Sequence, residues 1–359
     1  MENKSKNYYY IEPKIGSNIF EAVTLNNHEK LIFGHDKESG LRIVLAIHNT
    51  ILGPSTGGTR IANVSEEKAI EEALRLSYAM TYKNAIIDEP FGGSKAVIIG
   101  DPSKPKSKQF LHAIGDFIES LRGTFLTGVD MGLSLDDAKV IAERTKYIFN
   151  SKGCSGETTA HGVFKGIEAC LEEVLGSKSV KNRTVAIQGL GNVGGTLARL
   201  LLTAGAKVIV ADKDKKKISE YTRLGANVVN PDEIHSTLCD VFAPCAIGEI
   251  LDEKTIPELK CLIVAGGANN QFKREKEDSF LLKKRSILHA PDFIINAGGV
   301  CHGMCEVKGL DTKVAIKKTD LIPGLLKEAF RRSKKEHVTP ILAAYEMAHE
   351  KIELTKKNK

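Results

Sequence analysis

Apolar and polar positions follow two rhythms along this chain. "LRIVLAIHNT" (41–50) is β-branched and reads as a strand, whereas "SEEKAIEEALRLSYAMTYKNA" (65–85) repeats its apolar residues at helical spacing. Ser65 opens that helix as an N-cap with acids in the first turn. "KAVIIGDP" (95–102) predicts a short buried strand stopped by Gly100 and Pro102, and residues 107–121 and 134–145 predict two more amphipathic helices. Near 146–158 the periodicity lapses into polar, glycine-bearing "YIFNSKGCSGETT", which marks a domain boundary. A helix (159–176) follows, then "TVAIQGLGNVGGTLARLLLTAGAKVIVADKDKKK", a strand, glycine turn, helix and strand in βαβ order. Strand-like pieces recur at "DVFAPCA", "CLIVAGGA" and "FIINAGG", and residues 321–354 read as helices able to pack back on the first domain.

This pattern predicts an α/β protein of two domains. The first spans 1–147 and is completed by C-terminal helices at about 334–359; the second, a doubly wound dinucleotide-binding domain, spans 148–333. A length of 359 residues agrees, since one core seldom holds that many. The net charge of +6 comes from scattered lysines, and aromatics make up 6%, so a basic stripe interleaved with aromatics is missing and nucleic acid is not an expected partner. The N-terminus lacks an apolar signal core, and no run is long enough to span a bilayer. Seven cysteines without CxxC spacing point to a reducing compartment, hence the cytoplasm. Cys301, His302 and Cys305 are too few for a tetrahedral metal site, and no metal is expected.

The chemistry concentrates in two places. "GLGNVGG" sets Gly189, Gly191 and Gly194 in a GxGxxG turn, with Leu190, Asn192 and Val193 between them, after a strand and before a helix. There the first glycine makes the turn, the second lets backbone approach a pyrophosphate, and the third packs helix on strand. Asp212 ends the next strand, where a carboxylate accepts from ribose hydroxyls and repels a 2′-phosphate; this favours NAD over NADP, although Lys213 and Lys215–Lys217 pull the other way. The second place is "MTYKNAIIDEPFGGSK", with Lys83 at a helix end and Lys95 opening an apolar strand after Gly92 and Gly93, which give a small ligand room. Asp130 stands between glycines in "TGVDMG". An amine held in a dry pocket beside another cation loses basicity and works as a base near neutral pH, while a second, charged amine holds a carboxylate.

"GPSTGGTR", "ALRLSYAMTYKNA", "GGSKAVIIGDP", "DMG", "QGLGNVGG", "APCAIG", "GGANNQ" and "INAGG" occur in this order, and the chain resembles the leucine, valine and phenylalanine dehydrogenases, relatives of glutamate dehydrogenase, from about residue 18 to beyond 305. It looks closest to the leucine enzymes. The resemblance implies NAD-dependent, reversible oxidative deamination of a branched-chain or aromatic L-amino acid to a 2-oxo acid and ammonia. It implies that Lys83 binds the substrate carboxylate, Lys95 is the catalytic base, and Asp130 pairs with the amino group. The "GGTR" loop at Gly57 and Gly58 would line the pocket, with Thr56, Gly128, Val300 and Gly303 shaping its side-chain end. Asn269 and the "APCA" turn (Ala243, Pro244, Cys245) would lie near nicotinamide or substrate, and Thr159 would face the cofactor. A cleft closing between two domains and a homo-oligomer, dimer or octamer, are implied as well.

The chain departs from that pattern in three respects. "DEPFGGSK" puts Asp88 and Glu89 where relatives carry small or neutral residues, and carboxylates close to Lys95 would weaken it as a base. The stretch before Thr159 is shorter and lacks the relatives' proline. The pocket positions mix features of the leucine and phenylalanine enzymes and are enlarged overall, which leaves the side-chain preference open. Two other readings suit the same residues: a catalytically idle dinucleotide-binding protein on this scaffold, and an imine-reducing relative.

Overall fold

The computed structural model describes residues 18–149, 155–246 and 248–359; the N-terminal stretch and part of the 146–158 segment, on which the leader and boundary readings rest, lie outside the described residues. Two compact units emerge. The first comprises residues 18–149 with Glu306–Lys308 and Ala348–Lys359, and the second residues 155–305 and Gly309–Met347.

In the first unit the order is α1 (Ile19–Leu25), β1 (Lys30–Asp36), β2 (Leu41–Asn49), β3 (Ser55–Ala62), α2 (Glu66–Ile86), β4 (Gly92–Ile99), α3 (Lys108–Ser120), β5 (Phe125–Val129), α4 (Leu135–Ile141) and β6 (Ile148–Phe149). Ser65 caps α2 as the sequence predicts, and Ser107 and Ser134 cap α3 and α4 in the same way, each side chain accepting from a backbone N–H of its helix. The six strands form one sheet in the order β1-β2-β4-β3-β5-β6. It is mixed, since β1–β2 and β2–β4 are antiparallel while β4–β3, β3–β5 and β5–β6 are parallel. Alternation along β4 sends Ala96 and Ile98 into a core with α3 and α4, and Val97 into a second core with Ala69, Ile70, Ala73 and Leu74 of α2. Lys95 shares the α2 face with Val97.

The "GGTR" residues form strand, not loop, because β3 runs in a parallel ladder between β4 and β5. The glycine pair before Lys95 also differs from the expectation of open space. A Cβ on Gly93 would overlap the backbone nitrogen of Thr81 and the carbonyl oxygen of Ser77 in α2, and one on Gly92 would overlap the carbonyl oxygen of Asn49. The side chains are thinned there so that helix and strands can touch.

The second unit holds α5 (Ser155–Leu175), β7 (Thr184–Gln188), α6 (Asn192–Thr203), β8 (Lys207–Ala211), α7 (Lys215–Arg223), β9 (Asn227–Val228), β10 (Val241–Pro244), β11 (Ile263–Val264), α8 (Glu275–Lys284), β12 (Leu288–His289) and α9 (Asp292–Ile295); α10 (Gly298–Val307) and α13 (Pro340–Lys357) begin in it, with α11 (Thr312–Lys318) and α12 (Ile322–Glu336) between them. Its parallel sheet has the order β12-β11-β10-β7-β8-β9, the two-halved order of a doubly wound dinucleotide fold with the reversal between β7 and β10. The helix predicted from 159 begins at Ser155. "FIINAGG" is helical rather than a strand: Pro291 precedes α9, the Asp292 carboxylate accepts from the Phe293 N–H at 2.7 Å, and residues Asp292–Ile295 are all buried, without alternation. The edge strand is the preceding Leu288–His289.

Buried histidines make this fold sensitive to acid. The ring of His48 accepts at Nδ1 from the Asn49 side chain and meets Thr81 Oγ1 at 2.8 Å, while Nε2 donates to the Asn26 carbonyl at 3.1 Å. Burial, with the neighbouring His28 adding to it, lowers His48 to about 3; burial alone accounts for His28 at about 4 and His289 at about 3. The unfolded chain takes up protons from about pH 6.5 downward while the folded chain resists, so stability is full above that pH and falls as pH drops toward 4, by up to about 1.4 kcal/mol per pH unit for each histidine. Denaturant midpoints should therefore be lower at pH 5 than at pH 7. Equal midpoints would mean that these rings titrate freely.

Candidate active site and dinucleotide turn

In the first unit one face of the sheet gathers the titratable groups. Lys95, in mid-β4, is 7% exposed and its Nζ is ion-paired to Asp130 Oδ2 just past β5. The same oxygen accepts from Arg60 of β3, through Nε at 3.0 Å and Nη2 at 2.9 Å, and Oδ1 accepts from the Met131 N–H at 2.8 Å. Arg60 Nη1 turns back to Glu72 Oε1 on α2 at 3.1 Å. Burial pushes the Lys95 amine below its ordinary value; Asp130 pulls it back up, Arg60 adds to the lowering, and Glu72 opposes it. Burial works the other way on Asp130, but Lys95 and Arg60 together hold it well below the usual carboxylate range. Asp130 is thus an anion between two cationic side chains.

Glycines surround the amine. A Cβ on Gly58 would lie 3.0 Å from Lys95 Nζ and 3.0 Å from Asp130 Cβ. Gly128 pairs with Gly58 across the β3–β5 ladder. Gly57 points elsewhere, its α-carbon packed on the Ser94 carbonyl, so of the two adjacent glycines only Gly58 borders the amine. Thr56 is 1% exposed with its hydroxyl accepting from Asn84 Nδ2 at 3.0 Å; the same amide donates to the Gly92 carbonyl at 2.7 Å. Lys83 occupies the last turn of α2 and is buried.

The acids of "DEP" do not act on Lys95. Asp88 pairs with Lys351 at 2.7 Å, and that lysine also donates to the Ile86 carbonyl at 2.8 Å, closing the C-terminus of α2. Glu89 is buried and paired with Lys308 at 3.0 Å. Both acids therefore hold C-terminal segments of the chain to the end of α2.

The second unit collects its own residues at the carboxyl ends of β7, β10 and β11. Gly189 turns at φ +89°, and an added Cβ would meet Ala246 at 2.7 Å; at Gly194 it would overlap the Gly189 carbonyl and lie 3.0 Å from Cys245 Cβ. Gly191 has nothing within 4 Å of its open side and caps α6 without any side-chain bond, so the N–H groups of Asn192, Val193 and Gly194 begin the helix free of a capping oxygen. Asp212 accepts from the Leu190 N–H at 2.6 Å and the Asp214 N–H at 2.8 Å. Burial raises it, yet these bonds and Lys217 keep it below its ordinary value. An open turn, a free helix N-terminus and an anchored carboxylate fit a dinucleotide's pyrophosphate and ribose.

Ala243 and Pro244 end β10, and Cys245 follows with its N–H bonded to Gln188 O at 2.8 Å; burial pushes its thiol up to about 11. Asn269 is exposed, with Oδ1 accepting from Asn296 Nδ2 at 2.9 Å. Thr159 on α5 donates its hydroxyl to Ser155 O at 2.8 Å and lies against Gly299. Val300 and Gly303 lie on α10 in this unit, apart in the chain's division from Thr56 and Gly128. Among the described residues no group of three or more His, Cys, Asp or Glu side chains could hold a metal, and no helix is long and apolar enough to cross a membrane.

Arg60, Glu72, Asn84 and Asn296 are the residues sequence reasoning missed. A signal existed for two of them: Arg60 is two positions past Gly58 and so on the same strand face, and Glu72 is eleven positions before Lys83, three helical turns.

Comparison with known proteins agrees with this picture. The profile of the Glu/Leu/Phe/Val dehydrogenase dimerisation domain matches residues 28–147, and that of the glutamate/leucine/phenylalanine/valine dehydrogenases matches 153–214 and 208–359. Leucine dehydrogenase of Thermoactinomyces intermedius is 41% identical over 349 residues, 95% of each chain. Phenylalanine dehydrogenase of Lysinibacillus sphaericus is 41% identical over 356 residues, 95% of this chain and 92% of that one. The crystal structure of L-tryptophan dehydrogenase from Nostoc punctiforme matches with a TM-score of 0.82 at 42% identity, covering 94% of this chain and 100% of that one.

Proposed function

The chain belongs to the glutamate/leucine/phenylalanine/valine dehydrogenase family, and from that premise we propose that it catalyses reversible oxidative deamination of a branched-chain or aromatic L-amino acid to the 2-oxo acid and ammonia, with NAD as oxidant. The observation that carries this reading is the buried Lys95 amine, bordered by Gly58 and paired with an Asp130 that Arg60 also neutralises. Only a small residue leaves reacting atoms space beside that nitrogen.

Lys83 binds the substrate carboxylate as a point charge. Asp130 Oδ1, which takes one N–H from Met131, has a lone pair left for the substrate amino group. In its neutral form Lys95 takes a proton from the water that attacks the imino carbon, and returns it as ammonia departs. Bound NAD supplies the hydride acceptor. In the first unit Thr56 and Gly128 shape the side-chain end of the pocket, and the relatives named for leucine, phenylalanine and tryptophan bracket its preference. The Gly189–Gly194 turn, Asp212, Thr159, Ala243–Cys245 and Asn269 hold the dinucleotide, and the Asp212 carboxylate selects NAD. The protein works as a homo-oligomer through its first unit, whose family profile is named for dimerisation, and in the cytoplasm, where the cysteines stay reduced.

The reading is tested by NADH formation with a panel of L-amino acids, run in parallel with NADP. Turnover is expected with leucine-like or aromatic substrates, with NAD preferred. NAD binding without turnover of any amino acid would leave the idle scaffold instead; reduction with 2-oxo acid and amines other than ammonia, but not with ammonia, would indicate the imine-reducing relative.

A further inference from the structure

We propose that Arg60 is a positioning residue of this site: its guanidinium shares the Asp130 carboxylate with Lys95 and keeps that carboxylate neutralised when the amine gives up its proton. This inference rests on the dehydrogenase reading for its purpose, but not for its geometry.

Three N–H groups converge on Asp130 Oδ2, one from Lys95 and two from Arg60 at 3.0 and 2.9 Å. With Lys95 as its sole partner, a sheltered aspartate would lock that amine in its charged form, because losing the proton would strand an unpaired carboxylate. A base held that way is useless at neutral pH. Arg60 removes the conflict. Its guanidinium stays protonated in proteins, so the carboxylate remains compensated in both protonation states of the lysine, and the arginine's positive charge also opposes a second one on Nζ. Glu72 orients the arginine: it takes Nη1 at 3.1 Å, turning Nε and Nη2 onto the one oxygen that Lys95 also uses. The charged groups bearing on Lys95 are Asp130 from the end of β5, Arg60 from β3 and Glu72 from α2.

The test is a titration of Lys95 itself. Competitive labelling with acetic anhydride across pH, read at Lys95 by mass spectrometry, yields the midpoint of the amine without requiring turnover. In Arg60→Met that midpoint is expected to rise by about one pH unit or more, with the acidic limb of kcat/KM for amino-acid oxidation moving by the same amount. Arg60→Lys, which keeps the charge, should stay nearer the wild type. Glu72→Gln removes an acid that supports protonation and should move the midpoint down. A purely structural arginine would lower activity or stability and leave the midpoint in place. An unchanged or lowered midpoint in Arg60→Met overturns the inference. Should that variant not fold, Glu72→Gln decides, an unchanged or raised midpoint being the contrary result. If the midpoints move as expected while the wild type oxidises no amino acid, the dehydrogenase reading fails and the charge arrangement stands.

Discussion

Lys95→Ala is expected to lower kcat for amino-acid oxidation by on the order of 10²–10⁴-fold, the typical contribution of a positioned general base, while NAD affinity changes little. The residues proposed to hold NAD belong to the other unit of the chain. The substitution leaves Asp130 bonded to Arg60 and to the Met131 N–H, so no buried carboxylate is stranded and the sheet has no cause to rearrange. Lys83→Ala should behave differently, raising KM for the amino acid through loss of the carboxylate partner. Steady-state kinetics with a separate NAD titration distinguish the two. Wild-type rates in Lys95→Ala would show that the proton goes elsewhere.

Gly93→Ala is expected to produce the largest structural effect for one added methyl group. That methyl would run into the Thr81 backbone nitrogen, the Thr81 hydroxyl and the Ser77 carbonyl. Two of these are backbone atoms of α2 and cannot turn aside as a flexible side chain can. The helix must lift from β4, at a cost of about 3 kcal/mol, the upper range for overpacking a tight contact. Thr81 is two residues from Lys83, so the same displacement moves the amine proposed to bind the carboxylate relative to Lys95. Thermal unfolding should begin several degrees lower, and KM for the amino acid should rise with it. An unshifted melting profile would mean that the helix and strand are not in register contact at this glycine.

The two halves of the candidate machinery differed in how legible they were. The glycine turn proposed for the dinucleotide is a local object: strand, glycines, helix and acid follow one another within about two dozen residues, and their order alone implies their geometry. The cap at Ser65 is local in the same way. Lys83, Lys95 and Asp130 could be singled out as residues, but what acts on Lys95 could not. Asp88 and Glu89 are near it in sequence, yet their partners are Lys351 and Lys308, more than two hundred positions away. Arg60, thirty-five positions before Lys95, is what shares its carboxylate. "FIINAGG" misled for a related reason: a short apolar β-branched run suits a buried helix as well as a strand, and packing of Gly298 on the Thr158 carbonyl belongs to the fold rather than to the run.

By itself the sequence determined most of the succession of strands and helices, the two-unit plan, the glycine turn after β7, and which amines and acids to single out, because periodicity and turn residues act over a few neighbours. Only the tertiary structure decided that Gly92 and Gly93 serve contact between helix and strands whereas Gly58 borders the amine, and that Asp130 is balanced between Lys95 and Arg60. Those outcomes depend on strand order and register, which bring together residues far apart in the chain, and a side chain's charge state follows from what then surrounds it.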